Sequence, residues 1–527
     1  MIESILNFCP PVTRDELIHH LAIPKIWLTQ WSFSPLPWSD FSYYPMNIQL
    51  LYSACLWFGS DILPKYIHML FGIGCSLLIY GFIKHRLGVL WALLGGAMFF
   101  SLPIVVWLAT SAYVDLGLTF CTTASILYFI QYRWEESKPF KPLIFSAIFL
   151  GLAMGIKYNA LIVFFFLNMA GLYMAAKSGK DYQQSLKQGL IFLTIACAVA
   201  SPWYIRNFLY TGNPFYPLFN SLFQWMADIP VHPLFCKDLT PEFSMNAITL
   251  RKLLFNESIW ETLLIPIRMF FQGSDDQYQY FQGILNPMML VFIPFVCIPS
   301  CRQSWVVFIL SFIFFYGYIA FFTTMHQVRY LLPIFPLMCI LSVFGLHACI
   351  QTLTAKKYVS QIMQWAIPII MTGLFFLNIQ YVYHHFQKID PMPYIYGQEN
   401  RVQYLKKHLS YYEAFEYINL NLPKDSRILT FFLGRRGYYL DRTYVHEPLF
   451  GLNVLQCMVK NCYSKESFNH YLDQIDITHL LVRTDIAERH LSERYSPEER
   501  QLLNKRIQSR FKLIYFVKGY ALWQIEP

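Results

Sequence analysis

Charge is scarce in this chain of 527 residues: Asp, Glu, Lys and Arg together make up 14% of it. A soluble domain carries about 25%, so the composition excludes an ordinary water-soluble enzyme. Zinc-type spacing is missing as well, because none of the twelve cysteines belongs to a CxxC pair or a His/Cys set. There is no internal repeat, and the start lacks the charged, apolar and small-residue pattern of a signal peptide. What fills the chain instead is apolar: 55% hydrophobic and 18% aromatic residues, with a mean hydropathy of +0.36.

Apolar runs near the length of a bilayer span, roughly 20 residues, recur at 62–83, 87–108, 111–131, 158–176, 188–204, 284–300, 303–323, 328–350 and 364–384, with a shorter tenth run at 142–156. The pattern predicts a polytopic α-helical bundle of about ten or more spans. The formal charge of +9 then reports topology rather than nucleic-acid binding. Alternate short loops hold Lys84 and Arg86; Arg133, Lys138 and Lys141; Lys177, Lys180 and Lys187; Arg302; and Lys356 with Lys357. Short loops rich in Lys and Arg stay cytoplasmic. The opposite, outward side receives residues 1–61, the loop of about 205–283 and everything after 384. An outward start with no span before it leaves two readings, a translocated N-terminal tail or a preceding helix absent from this sequence, and the second is the expectation.

Three parts follow. Residues 1–61 read as a Pro-rich, aromatic outward loop with short interfacial helices, 62–384 as the bundle, and 385–527 as a small extracytoplasmic α/β domain. In the last, "YYEAFEYINLNL", "SKESFNHYLDQI" and "SPEERQLLNKRIQSR" read as helices, "RILTFFLG" and "THLLVR" as strands, and "FKLIYFVKGYALWQIE" as a hairpin. Cys457 and Cys462, spaced C-x4-C in this tail, fit either a local disulfide or two free thiols.

The unusual residues fall on one face of that topology. Asp15 and Glu16 lie in the first outward loop, Asp115 at the outer mouth of the third span, and Lys157 at an outward turn. Arg206 follows the sixth span and Arg329 begins the ninth. Ionisable groups at or within spans are costly and mark function by default, although each alone also fits an interfacial or snorkelling role. A carboxylate beside an acceptor hydroxyl can take its proton, and cations can hold a departing phosphate. Asp15 begins the run "DELIHHLAIPK", so its carboxylate is expected at a helix's first turn, held ionised by free backbone N–H groups. Asp15, Glu16 and His19 also offer a possible divalent-metal set, although the residues require no cofactor.

The ordered set "RDEL", "YVDL", "PWYIRNFLYTGNPFYP" and "VRYLLPIFP" resembles the lipid-carrier-dependent glycosyltransferases of the C superfamily, which include the protein O-mannosyltransferases and the lipid A aminoarabinose transferases. The resemblance covers residues 10–340. It implies Asp15 as catalytic base with Glu16 as its acidic companion and Asp115 as a further acid shaping the site. It also implies Arg206, Arg329 and Lys157 near the donor phosphate. "IHHL" departs from both named groups, so neither substrate is transferred to this chain. The reading is a hexosyl- or pentosyltransferase of the plasma (inner) membrane. It would move a sugar from a polyprenyl-phosphate carrier to a lipid, glycan or protein acceptor on the outer face, with inversion. The rival readings are a transporter or flippase of lipid-linked sugars and a non-catalytic membrane scaffold.

Overall fold

The computed structural model describes residues 2–135, 140–177, 182–223, 247–298, 303–324, 326–354, 357–447 and 453–526. Of the basic loop residues, Lys138, Lys180, Arg302 and Lys356 lie outside the described residues. Six described helices are long and apolar enough to cross a membrane, or seven if one bent pair is a single span. Helices are what apolar runs must form where no water can satisfy the backbone.

The helices Leu63–Leu87, Ala160–Lys177, Tyr182–Thr211 and Ser304–Thr323 match the expected runs. Two other runs are broken. Residues 87–108 divide into Val89–Phe100 and Pro103–Ala109, bent by 69°. Pro103 disfavours a helical residue before it, and Leu102 is extended at ψ 131. Residues 284–300 shorten to an apolar helix Met288–Cys297, which begins after Asn286–Pro287 and tightens to a 3₁₀ turn around Pro294. The third run starts late, with the helix Asp115–Trp134. The shorter tenth run is the helix Lys141–Met154.

The segment Val328–Leu353 is the central element, with 89% of its apolar window buried, against 6% for Trp365–Ile389 at the periphery. Around it the helices Leu63–Leu87, Val89–Phe100 and Asp115–Trp134 build one large apolar core. Small residues permit the close approach. A Cβ on Gly151 would lie 2.6 Å from the Ala196 carbonyl of the facing helix. Apolar side chains such as Leu77, Phe314 and Trp365 point outward and are exposed, as on a lipid-facing surface.

Three of the apolar helices have a polar, site-side end and a basic end. Lys65 starts the helix that Lys84 and Arg86 finish, roughly 30 Å away at 1.5 Å per residue. Asp115 begins the helix that ends near Arg133, and Lys157 precedes the helix that ends at Lys177.

The C-terminal part carries a five-stranded sheet in the order β2-β1-β3-β5-β4. The strands are β1 Arg427–Phe431, β2 Thr443–His446, β3 His479–Arg483, β4 Phe511–Val517 and β5 Tyr520–Ile525. β1 pairs in parallel with β2 and β3, and β5 runs antiparallel to β3 and β4. The helices Tyr412–Asn421, Lys465–Gln474 and Pro497–Arg510 stand where the patterning placed them, the last with a Ser496–Glu499 capping box. The C-x4-C bridge is not formed. Cys462 is a free buried thiol, whereas Cys457 is disulfide-bonded.

The loop after β1 docks this part onto the start of the chain. The backbone N–H groups of Gly437 and Tyr438 donate to the Leu17 carbonyl at 3.0 and 3.2 Å. Lys25 Nζ donates to Tyr438 O at 2.7 Å and pairs with Asp441 at 2.6 Å. Only glycine fits at 437, where a Cβ would meet the Tyr444 ring at 2.3 Å.

Candidate active site

Residues Glu16–His20 form a single π-helical turn, closed by Leu21 N–H donating to Glu16 O at 2.9 Å, and lead into the helix Ala22–Gln30. Such turns recur at functional sites. This one turns neighbouring side chains in different directions, and Asp15 and Glu16 part company here.

The Asp15 carboxylate makes no bond to the turn's backbone N–H groups, contrary to the helix-cap expectation. It meets Arg329 Nη1 at 2.5 Å instead. Asp15 N–H donates to the Tyr113 hydroxyl at 3.2 Å. Arg329 Nε donates to Gln327 Oε1 at 2.8 Å, and its guanidinium lies over the rings of Tyr113 and Tyr330. Burial works against the Asp15 charge. The Arg329 guanidinium, aided by His19 and Arg14, outweighs it and holds the carboxyl well below the usual carboxylate range.

Glu16 is fully buried and points elsewhere. Its oxygens accept from Thr13 N at 2.9 Å and Ala112 N at 2.5 Å, tying the first loop to the turn before the helix Asp115–Trp134. Burial raises its pKa, and Lys65 with these hydrogen bonds offsets that only in part. Glu16 still reaches the cavity wall, but both its oxygens are engaged in bracing the backbone.

Asp115 is buried and pairs with Lys157 at 2.8 Å. Lys157 in turn lies 4.9 Å from the centre of the Tyr330 ring, beside Arg329. This second pair therefore adjoins the first without lining the cavity. Arg206 is not brought to the cavity at all. Its Nε and Nη2 donate to Phe33 O at 3.0 and 2.9 Å, and its Nη1 to Ser42 O at 3.0 Å. It clasps the aromatic first loop onto the helix Tyr182–Thr211, among Trp27, Trp203 and Tyr210.

A cavity of about 300 Å³ opens over the Asp15–Arg329 pair. Glu16, Lys65 and Tyr113 form part of its wall, Asp275, Asp276 and Tyr278 come from the outward loop, and Lys388 and Arg436 close the far side. Sequence reading missed this far wall, since nothing local marks residues that meet only in space. The pair His19–His20 was a visible signal. Both rings are buried, with centroids 3.9 Å apart, and His19 stacks on Phe41. Burial pushes His19 down to about 4, with Asp15 opposing and Arg329 and Lys157 adding to the effect. His20 is likewise held well below its usual value, first by burial. Neutral imidazoles beside a carboxylate suit a divalent cation, and Asp15, His19 and His20 offer ligand atoms within 4.8 Å of one another. His20 thus takes the place expected of Glu16 in that set. His19 Nδ1 has no hydrogen-bond partner, which leaves it available as a donor atom.

Residues 58–223 match the family model described as dolichyl-phosphate-mannose-protein mannosyltransferase. A comparison with curated proteins finds no match. Among solved structures, the chain is similar to ArnT from Cupriavidus metallidurans bound to undecaprenyl phosphate. The identity is 12% and the TM-score 0.56, over 99% of this chain and 95% of that one. It is also similar to the Archaeoglobus fulgidus oligosaccharyltransferase in complex with Zn and sulfate, at 10% identity and TM-score 0.51, over 100% of this chain and 72% of that one. The same enzyme tethered with an acceptor peptide gives 11% identity and TM-score 0.51, over 97% and 71%. These likenesses establish the fold, and with the family match they support a membrane glycosyltransferase. The resemblance read from the ordered motifs is met: the chain has the fold of the C-superfamily lipid-carrier glycosyltransferases and carries a dolichyl-phosphate-mannose-protein mannosyltransferase match over residues 58–223.

Proposed function

We propose that this chain transfers a hexosyl or pentosyl group from a polyprenyl-phosphate carrier to a lipid, glycan or protein acceptor, with inversion, at the extracytoplasmic face of the plasma (inner) membrane. The observation that carries the reading is the Asp15–Arg329 pair. It opens on a cavity at the end of the bundle opposite the basic turns at Lys84, Arg86 and Lys177. A bundle of about ten spans, with residues 1–61 and 385–527 outward, fits this arrangement. The disulfide at Cys457 agrees with an oxidising side for the tail.

In the proposed step the acceptor oxygen attacks the anomeric carbon from the face opposite the phosphate, and its proton passes to the Asp15 carboxylate. The carbon–oxygen bond to phosphate breaks, and the phosphate leaves with the electron pair. Arg329 stabilises the charge that develops on it. While Arg329 grips Asp15, that carboxylate is a weak base. A donor phosphate that draws the guanidinium to itself removes the main counter-charge, and the proton affinity of Asp15 rises. Donor binding thus arms the base. Glu16 fixes the loop that carries Asp15. Asp115 and Lys157 hold Tyr330 and Arg329 in place, and Arg206 orders the first loop. A divalent cation held by Asp15, His19 and His20 would supply positive charge for the leaving phosphate, and Asp15 would then serve as its ligand and not as the base.

Glycolipids and envelope glycans compared by mass spectrometry with and without the gene should show one sugar modification lost and its unmodified acceptor accumulating. An unchanged profile in cells that make the protein contradicts the reading. For orientation, a single cysteine at Asp425 should react with an impermeant thiol reagent from outside, and one at Lys177 should not. The reverse pattern would move the site to the cytosol and end the proposal.

A further inference from the structure

The charges around the cavity do not balance locally. Asp15 is matched by Arg329, and Asp276 by Lys388 at 2.5 Å. Asp275 accepts from the Tyr381 hydroxyl at 2.6 Å. Lys65 donates to the carbonyls of Leu6 and Cys9 and faces Glu16. Two guanidiniums on the same cavity form no ion pair among the described residues, although Arg14 lies near enough to Asp15 to favour its charge. Arg14 reaches only a phenol, Tyr278 Oη, at 2.5 Å, and Arg436 only the face of Tyr411, at 5.9 Å.

These arginines come from opposite ends of the chain. Arg14 precedes the π-helical turn, and Arg436 belongs to the tail loop pinned to that turn through Gly437, Tyr438 and Leu17 O. Beside them stands Arg435, whose Nη2 is buried without a hydrogen-bond partner. Burial and the nearby Arg14 weigh against its charge, while Asp40 and Glu447 favour it. Arg14 at the exposed rim and the half-buried Arg436 leave two cations on one cavity that an anion can join. A planar guanidinium suits the paired oxygens of a phosphate or carboxylate.

We propose that Arg14 and Arg436 form a second anion subsite of the cavity, separate from the Asp15–Arg329 pair, which takes a phosphate or carboxylate carried by a reactant beyond the donor's first phosphate. The proposal rests on the glycosyl-transfer reading for the identity of the reactant. Two sources fit the chemistry: the second phosphate of a pyrophosphate-linked carrier, or an anionic group on the acceptor. The subsite also explains why the tail loop is bound to the first loop, since it delivers half of the binding group.

The test measures binding, not transfer, on the full chain in lipid nanodiscs. Undecaprenyl phosphate, undecaprenyl pyrophosphate and inorganic phosphate are titrated into the parent, Arg436→Gln, Arg14→Gln and Arg436→Lys, with melting temperatures recorded on the same samples. If the anion belongs to the donor, the parent binds the pyrophosphate carrier about tenfold or more tighter than the monophosphate. Arg436→Gln and Arg14→Gln then abolish that preference without weakening monophosphate binding. If it belongs to the acceptor, the two carriers bind alike, and inorganic phosphate binds the carrier-loaded parent but not the glutamine variants. Arg436→Lys retains part of either effect, as a point charge without the fork. Equal affinities in parent and glutamine variants for all three probes, at unchanged melting temperature, overturn the subsite. A parent that binds neither carrier overturns the carrier reading instead, and its inorganic-phosphate titration still judges the arginines.

Discussion

Two acid–base pairs stand side by side at one end of the bundle, Asp15–Arg329 at 2.5 Å and Asp115–Lys157 at 2.8 Å. Both unite residues far apart in sequence, and both are largely shielded from water. They differ in what surrounds them. The first faces an open cavity of about 300 Å³, so either partner can trade the other for a reactant. The second is packed away from that cavity, with Asp115 only 1% exposed. It joins the start of one helix to the turn before another. An acid–base pair thus has room to exchange partners where there is space beside it and serves as a brace where there is none.

The largest effect expected from breaking that contrast is on turnover in Asp15→Asn. The substitution keeps shape and removes basicity, so transfer per folded molecule should fall by about two to four orders of magnitude, the usual contribution of a general base. Its neighbour serves as the internal control. Glu16→Gln replaces one acceptor of a buried backbone hydrogen bond, so it should lower stability by about 1–3 kcal/mol and leave turnover per folded molecule nearly intact. Turnover and melting temperature on the same purified variants separate the two roles. A turnover loss in Glu16→Gln as deep as in Asp15→Asn would erase the distinction drawn between the adjacent acids.

Asp115→Asn should act on folding first. It leaves Lys157 in a largely buried position without its counter-charge, which costs about 3 kcal/mol. Turnover of the folded fraction should change far less than in Asp15→Asn, and the double variant Asp115→Asn with Lys157→Met should recover much of the melting temperature. Failure of that rescue would mean that the pair does more than brace.

Much of this was legible in the linear sequence. Hydropathy located the long helices because a bilayer enforces their length, and the tail's helices and strands followed from ordinary periodicity and caps such as Ser496. The bundle's breaks were missed because Pro103, Pro287 and Pro294 hardly lower an average over twenty residues, yet each stops the helical ladder locally. Asp15 and Arg329 were found as unusual charges at span mouths. The nature of their link was not, because the partner that replaces the expected helix cap lies 314 positions away. Arg206 misled for the same reason. Its sequence neighbours place it on the correct face, but the carbonyls of Phe33 and Ser42 that consume its donors belong to a distant loop. Arg436 carries no local signal, since it reaches the cavity only because the tail loop is docked on Leu17.

The central claim is that Arg329 recognises the donor's phosphate and Lys157 does not. The direct measurement is the affinity of undecaprenyl phosphate and of the phosphate-free alcohol undecaprenol for the parent, Arg329→Ala and Lys157→Ala, each in the same nanodiscs. The account predicts that Arg329→Ala weakens the phosphate carrier by about tenfold or more and leaves undecaprenol binding unchanged, while Lys157→Ala lowers the melting temperature with little effect on either affinity. Equal loss for both ligands in Arg329→Ala, or a phosphate-specific loss in Lys157→Ala alone, would contradict it.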